Sequence, residues 1–282
     1  VTDPGDFRAN ARDMWENAAA GWGHQADWWD RRTRPVSEWL IEAINPQPGM
    51  TVVEVGAGPG DVGLLAAEVI QPGGRVLITD GAEAMVEAAK RRARERGLEG
   101  VVQVRTMETE WIDLSAATVD AMLGRWVYML LADPDAALRE TRRVLKPGGV
   151  LAIAAWSDPQ ANPWNSVIGG LLVERGLSES DPTAPGPFRW RERAVIGEQL
   201  EDAGFGDVVL DTVDFTFDYP DLDTWWDTQI DLSPTLGGAL TRMDPAARDE
   251  LMEEAQSRVA DYVEPDGRLV LPASTHVARA EA

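Results

Sequence analysis

A chain of 282 residues with 44% hydrophobic side chains can bury a proper core, which excludes wholesale disorder. It has no cysteine and two histidines, His24 and His276, near opposite ends, so disulfides, thiolate nucleophiles, the usual structural zinc site and a multi-histidine metal centre are excluded and no metal is expected. With 48 Asp plus Glu against 26 Lys plus Arg, the net charge of −22 works against a nucleic-acid partner, and the apolar runs are too short to cross a bilayer, so no membrane contact and a cytoplasmic location are expected.

Residues 1–36 carry Trp15, Trp22, Trp28 and Trp29 and read as an N-terminal helical lid. A helix is expected over 37–44. A Pro-Gly turn then leads into an apolar, β-rich run three times: Pro48-Gly49 before 51–55, Pro72-Gly73-Gly74 before 75–79, and Pro147-Gly148-Gly149 before 150–156. Proline presets the turn and glycine takes its left-handed corner, so each pair reads as a stop followed by a strand. Two further apolar runs, 101–105 and 119–123, fit buried strands. Helical patterns lie between them at 61–70, 82–96 and 134–145, the last with Asp133 as N-cap and Pro134 at its first position. The basic cluster from Lys90 to Arg96 reads as a solvated face of its helix. Strands alternating with helices of this length predict a doubly wound α/β fold, a parallel sheet covered on both faces.

After Trp156 the rhythm breaks. Residues 158–193 are rich in Pro, Gly and Trp, with a short helix expected at 167–173. A helix at 194–203 and a strand at 208–217 follow; then comes a helical insertion at 222–263 that folds over the carboxyl edge of the sheet, and a last strand at 268–278. The layout is therefore a lid (1–36), a ligand-binding α/β core (37–156), a linker, helix and sixth strand that complete it (157–221), a substrate-cap insertion (222–263) and the last strand (264–282).

The chemistry begins where the first strand runs through Glu54 into Gly56-Ala57-Gly58-Pro59-Gly60 and then a helix. Glycines let the backbone bend sharply and approach a ligand, and the free N–H groups of a helix start favour an anionic group. A dinucleotide fingerprint would need glycine at position 61, where this chain has Asp61, an acid that would repel a pyrophosphate. The second strand ends in Asp80, followed by Gly81, at the edge where a carboxylate can grip the two hydroxyls of a ribose; the alternative for Asp80 is a helix N-cap.

Together these segments resemble the class I S-adenosylmethionine-dependent methyltransferases, especially the branch related to the ubiquinone/menaquinone C-methyltransferases. Glu54 to Gly60 looks like the family's first motif, Asp80 with Ala84-Met85 like its second, and Leu145-Lys146-Pro147-Gly148-Gly149 like its signature before the fifth strand. The resemblance implies a mostly parallel seven-stranded Rossmann-like sheet and S-adenosyl-L-methionine as cofactor. It implies cofactor contacts from Glu54, Gly56, Ala57, Gly58, Gly60, Asp80, Gly81 and Met85, with Asp80 on the ribose and Met85 by the adenine. Relatives often place an acid after the third strand; here Thr106 stands there, leaving Met107 to stack on adenine and Glu108 or the Thr106 hydroxyl to take its hydrogen bond. Arg125, after the fourth strand, either reaches the cofactor carboxylate or the transfer site, or pairs with an acid elsewhere.

His24 is the candidate base or substrate contact. Trp22, Trp28, Trp126, Trp225 and Trp226 are candidates for the substrate pocket, or else glue between lids and core. The implied reaction is methyl transfer to a small, aromatic or largely apolar acceptor, secondary-metabolite or quinone-like, releasing S-adenosylhomocysteine. A homodimer is an open option. Two alternatives stand beside this: a nicotinamide-dependent oxidoreductase and a catalytically silent cofactor-binding protein of the same fold. The Asn-Pro-Pro-Tyr type motif of amino-group DNA methylases is absent after the fourth strand.

Overall fold

Seven strands form one sheet in the order β3-β2-β1-β4-β5-β7-β6. They are β1 (Thr51–Glu54), β2 (Arg75–Asp80), β3 (Val102–Thr106), β4 (Val119–Arg125), β5 (Leu145–Trp156), β6 (Gly206–Tyr219) and β7 (Leu269–Glu281). The structure, a computed structural model, describes residues 4–179 and 181–282, so residues 1–3 of the expected lid and residue 180 of the linker lie outside it. The first five strands are parallel, whereas β7 runs antiparallel to both β5 and β6. This is the mostly parallel, doubly wound architecture expected from the sequence.

Helices cover both faces and bury most of β1, β2, β4 and β5, while the edge strand β3 is only partly covered: α2 (Arg34–Ile44), α3 (Asp61–Val69), α4 (Glu83–Glu95), α5 (Pro134–Val144) and α7 (Arg193–Asp202) pack on the sheet, and α6 (Pro163–Glu174) packs on β7. Asp133 caps α5 as expected, its carboxylate accepting the Ala136 N–H at 2.8 Å. The third Pro-Gly-Gly turn falls inside β5 rather than before it. Leu145 already pairs with Val119 and Val150 with Ala121, so residues 146–149 bulge out of the ladder. The outer strand β6 carries Asp207, Asp211, Asp214 and Asp218, and a row of charge of this kind discourages edge-to-edge pairing.

The lid is one 29-residue helix, α1 (Pro4–Arg32), followed by α2 after Thr33. The insertion is three helices, α8 (Leu222–Leu232), α9 (Pro234–Leu240) and α10 (Pro245–Arg258). The breaks come from Ser233-Pro234 and Asp244-Pro245: each proline denies an N–H to the preceding helix, and the Ser or Asp side chain caps the next one. α8 lies along α1, and α10 packs on α6.

The α1–α8 seam is tight at Gly21, where a Cβ would come within 2.3 Å of the Asp231 carbonyl oxygen. In a free helix alanine is better than glycine by about 1 kcal/mol; against a fixed backbone carbonyl, overpacking costs about 1–3 kcal/mol and should win. Gly21→Ala is therefore expected to lower the urea midpoint. A midpoint raised by the substitution would show that the two helices do not meet this closely.

Candidate active site

The strand order reverses between β1 and β4, and the carboxyl ends of the strands open at that switch point, where α/β sheets take their ligands. The turn leaving β1 is built there. Gly56 has φ 54° and lies against the loop after β4, so that a Cβ would meet Val127 Cγ2 at 2.2 Å. Gly60, at φ 84°, is the residue from which α3 starts. A Cβ on Gly58 would meet nothing within 4 Å, and this open cradle beside backbone N–H groups suits a bound ligand.

Asp80 joins this turn to the next one. Its carboxylate accepts the Gly58 N–H at 2.8 Å and the Ala82 N–H at 2.9 Å. It is not the N-cap of α4, a position held by Ala82 without any side-chain bond. Burial raises the Asp80 carboxyl above its usual range; the two N–H groups offset this in part, while the charges of Glu108 and Glu16 add to it. Gly81 lies against Glu108, and Met107, buried, donates its N–H to the Asp80 carbonyl at 3.0 Å. Thr106 is exposed at the end of β3.

Behind the turn, Glu54 is buried and its Oε2 accepts the Gly63 N–H of α3 at 2.8 Å. Burial pushes its carboxyl up to about 8 despite the Arg125 charge nearby. Asp61 does not stand as a free acid at the helix mouth. It is buried between Arg125 of β4 and Arg92 of α4, each hydrogen-bonded to one of its oxygens. Burial alone would raise its carboxyl, but the two guanidinium groups hold it below the ordinary value. The expected repulsion of a pyrophosphate by Asp61 is thus largely neutralised. Of the two readings for Arg125, the structure shows the acid partner, and the same guanidinium also bonds the Thr33 and Ser37 hydroxyls at 2.7 and 2.8 Å.

The basic cluster from Lys90 to Arg96 is not uniformly solvated. Arg92 is buried, bonds the Pro59 carbonyl at 3.1 Å and faces Asp27 and Asp30 of α1; Arg96 also pairs with Asp30. Three of every seven residues on a helix face inward, and the one with an acid beneath it went there.

Helix α1 lies across the segment after β3 and the start of α4. Arg8 pairs with Glu110 and Arg12 with Glu108, while Glu16 accepts the Glu83 and Ala84 N–H groups that open α4. Trp15 and Trp22 pack with Ala82 and Met85, and Trp22 Nε1 donates to the Leu232 carbonyl at 3.2 Å. His24 is not brought to the glycine turn: its side chain is 76% exposed, with Nδ1 2.8 Å from Asp231 on the outer α1–α8 seam. Its helix turns it away from the sheet, which favours a part in joining the lids. Trp225 and Trp226 are both buried, and Trp225 Nε1 bonds the Trp164 carbonyl at 3.1 Å, so they serve as core.

Trp126, next to Arg125, adopts φ 59°, a backbone conformation costly for a bulky residue. It stacks on Trp156 at 4.1 Å between ring centroids and bonds the Thr275 hydroxyl at 2.8 Å. Trp29 touches Trp126, Trp28 and Phe217, and Trp28 touches Tyr219. Of this aromatic cluster, sequence reasoning singled out Trp28 and Trp126 but missed Phe217 and Tyr219. The signal was present: Phe215, Phe217 and Tyr219 alternate on one face of β6.

Comparison with known proteins agrees with this geometry. A profile described as "Methyltransferase domain" matches residues 46–174. The nocamycin O-methyltransferase of Saccharothrix syringae is 32% identical over 165 residues, which is 58% of this chain and 58% of the relative. The ubiquinone/menaquinone C-methyltransferase UbiE of Shewanella sp. strain ANA-3 is 30% identical over 180 residues, 60% of this chain and 72% of the relative. The chain belongs to the S-adenosylmethionine-dependent methyltransferases. The family fold also matches phosphoethanolamine N-methyltransferase 2 of Haemonchus contortus, solved with S-adenosylhomocysteine, at a TM-score of 0.59 and 15% identity over 100% of this chain and 61% of that one. Among the described residues of this methyltransferase-family chain, no helix is long and apolar enough to cross a membrane, and no group of three or more His, Asp or Glu is placed to hold a metal ion.

The proton on Glu54 has a consequence for stability. An exposed glutamate releases it near 4.5, whereas the folded chain keeps it to about 8, so stability falls as the pH rises between those values. Glu54→Gln keeps an acceptor for Gly63 N–H and removes that slope. Its stability relative to wild type should improve by at least about 1 kcal/mol between pH 5 and 8. Thermal melts that stay parallel at every pH would show Glu54 to be ionised in the fold.

Proposed function

We propose that the protein transfers the methyl group of S-adenosylmethionine to a small acceptor, aromatic or largely apolar, and releases S-adenosylhomocysteine. The observation that carries this reading is Asp80, a carboxylate held at the end of β2 by the N–H groups of both glycine-turn and α4-side backbone, next to the open cradle at Gly58. A carboxylate there can take the ribose hydroxyls. The backbone from Gly56 to Gly60 would hold the amino-acid end, with Met85, Met107 and Glu108 on the adenine side. The Asp61–Arg125 pair sets the charge behind it.

When bound, the cofactor supplies a sulfonium methyl electrophilic enough to react with an aligned nucleophile. The chain then has to orient the acceptor in line and exclude water. Trp126, fixed by Trp156 and Thr275, forms a rigid wall beside the turn, and α1 closes the top through Arg8, Arg12 and Glu16. Transfer to a hydroxyl makes one C–O bond as the C–S bond breaks and releases one proton. A flat, largely apolar acceptor fits aromatic walls better than a charged one. The names of the O- and C-methylating relatives support a small-molecule acceptor.

Calorimetry tests the cofactor. S-adenosylmethionine and S-adenosylhomocysteine should bind at micromolar concentration and NAD should not. Asp80→Ala should weaken both by about tenfold or more, a loss of about 1.4 kcal/mol, with unchanged circular dichroism. NAD binding in place of the sulfur compounds would favour the oxidoreductase; unaltered affinity in the variant would remove Asp80 from the ribose.

A further inference from the structure

The glycine turn is gripped from two sides. Asp80, at the end of β2, accepts the Gly58 N–H at 2.8 Å, and Arg92, in the last turn of α4, donates to the Pro59 carbonyl at 3.1 Å. The Gly60 N–H, on the same peptide as that carbonyl, donates to the Ala57 carbonyl at 2.9 Å. The Pro59–Gly60 peptide plane is therefore fixed at both of its polar ends. Such a plane needs fixing. Gly58 and Gly60 hold φ of 53° and 84°, and glycines let a neighbouring peptide rotate at little steric cost. Half a turn would swing the Pro59 carbonyl away from Arg92 toward the opposite face of the turn, which is unpacked at Gly58. An anionic ligand group would then meet a carbonyl oxygen among the N–H groups meant to hold it.

Neutralising Asp61 does not by itself account for Arg92. Arg125 already bonds the other Asp61 oxygen, and one guanidinium balances one carboxylate. The contacts of Arg92 are unevenly shared. Its Nη1 takes both the Pro59 carbonyl and an Asp61 oxygen, so one nitrogen ties the turn to the first residue of α3. Its Nη2, among the described residues, makes no hydrogen bond and stands 3.7 and 3.8 Å from carboxylate oxygens of Asp27 and Asp30. Toward α1 the guanidinium is held by charge alone, whereas its hydrogen bonds go to the turn and to α3. Arg92 is 5% exposed, so water has little access to the Pro59 carbonyl from that side.

We propose that Arg92 is a positioning residue for the cofactor: it locks the Pro59–Gly60 peptide in the orientation that lets the glycine turn receive the amino-acid end of S-adenosylmethionine, and it touches neither cofactor nor acceptor. This rests on the methyl-transfer reading and adds to it a side chain, outside the glycine motif, that sets the affinity for one half of the cofactor. In that reading the adenosine half lies on Asp80, Met85 and Met107, none of which is bonded to Arg92. Loss of Arg92 therefore acts on the two halves of the ligand unequally.

The test uses the full chain, with Arg92→Lys and Arg92→Met. Each is titrated by calorimetry with S-adenosylhomocysteine and with methylthioadenosine, which carries the adenosine and the thioether but no amino-acid end. Arg92→Lys keeps a positive charge beside Asp61 but replaces the planar fork with a single ammonium. Both variants should weaken S-adenosylhomocysteine about tenfold or more and change methylthioadenosine less than about twofold. Retained methylthioadenosine binding also reports that the site is folded. Arg92→Met should melt several degrees below wild type, because part of the buried Asp61 charge loses its partner, and Arg92→Lys should recover most of that loss without recovering the affinity. Equal weakening of both ligands would make Arg92 a general support of the fold and overturn the proposal. Wild-type affinity for S-adenosylhomocysteine in Arg92→Lys would overturn it too, by showing that charge alone suffices. Failure of S-adenosylhomocysteine to bind wild type overturns the methyl-transfer reading instead, and is read in the wild-type arm alone.

Discussion

Asp61 is a buried carboxylate, and the rest of the site is arranged around the need to keep it company. Taking such a charge out of water costs several kcal/mol unless it is paired and hydrogen-bonded, and removing one partner strands the other. Two arginines supply the pairing from different directions: Arg125 from the end of β4 and Arg92 from the last turn of α4. Each then reaches further. Arg125 bonds Thr33 and Ser37 at the junction of α1 with α2, and Arg92 bonds Pro59 within the glycine turn and faces Asp27 and Asp30 near the end of α1. One acid therefore ties the glycine turn, the switch-point strand and the end of α1 into a single network.

Helix α1, the lid expected from the sequence, is held at both ends by charge and in the middle by aromatic packing. Its root joins the Asp61 network, and its first turns reach Glu108 and Glu110 past the end of β3 through Arg12 and Arg8. In a chain this acidic, each such arginine is drawn to one of many carboxylates, and exposed pairs of this kind contribute little individually. Between them Trp15 and Trp22 lie on Ala82 and Met85. The groups that the sequence resemblance sets around an adenine are thus among those that α1 touches.

One strained residue lies just past the end of β4, next to the residue that packs on Gly56. Trp126 holds a left-handed backbone that costs about 1–3 kcal/mol for a non-glycine residue, offset by its stacking on Trp156 and its bond to Thr275. The result is a rigidly held ring at the end of β4. Aromatic packing continues from that ring through Trp29 and Trp28 to Tyr219 within the core.

By itself the sequence determined what depends on local chain chemistry. The Pro-Gly turns, the apolar runs and the helix caps marked the strands and helices of the core to within a few residues, because turn geometry and period are local properties. The glycine turn and Asp80 were legible for the same reason: a strand, a sharp bend and a strand-end acid have fixed spacing. The tertiary structure alone decided which side chains meet. His24 and Asp231, Arg92 and Asp61, Trp28 and Tyr219 are far apart in the chain and lie on elements whose rotation is set by packing, and no spacing rule could place them. A helix of mixed charge does not announce which arginine will be buried. That depends on the acid it finds beneath it, and only the assembled sheet brings the two together.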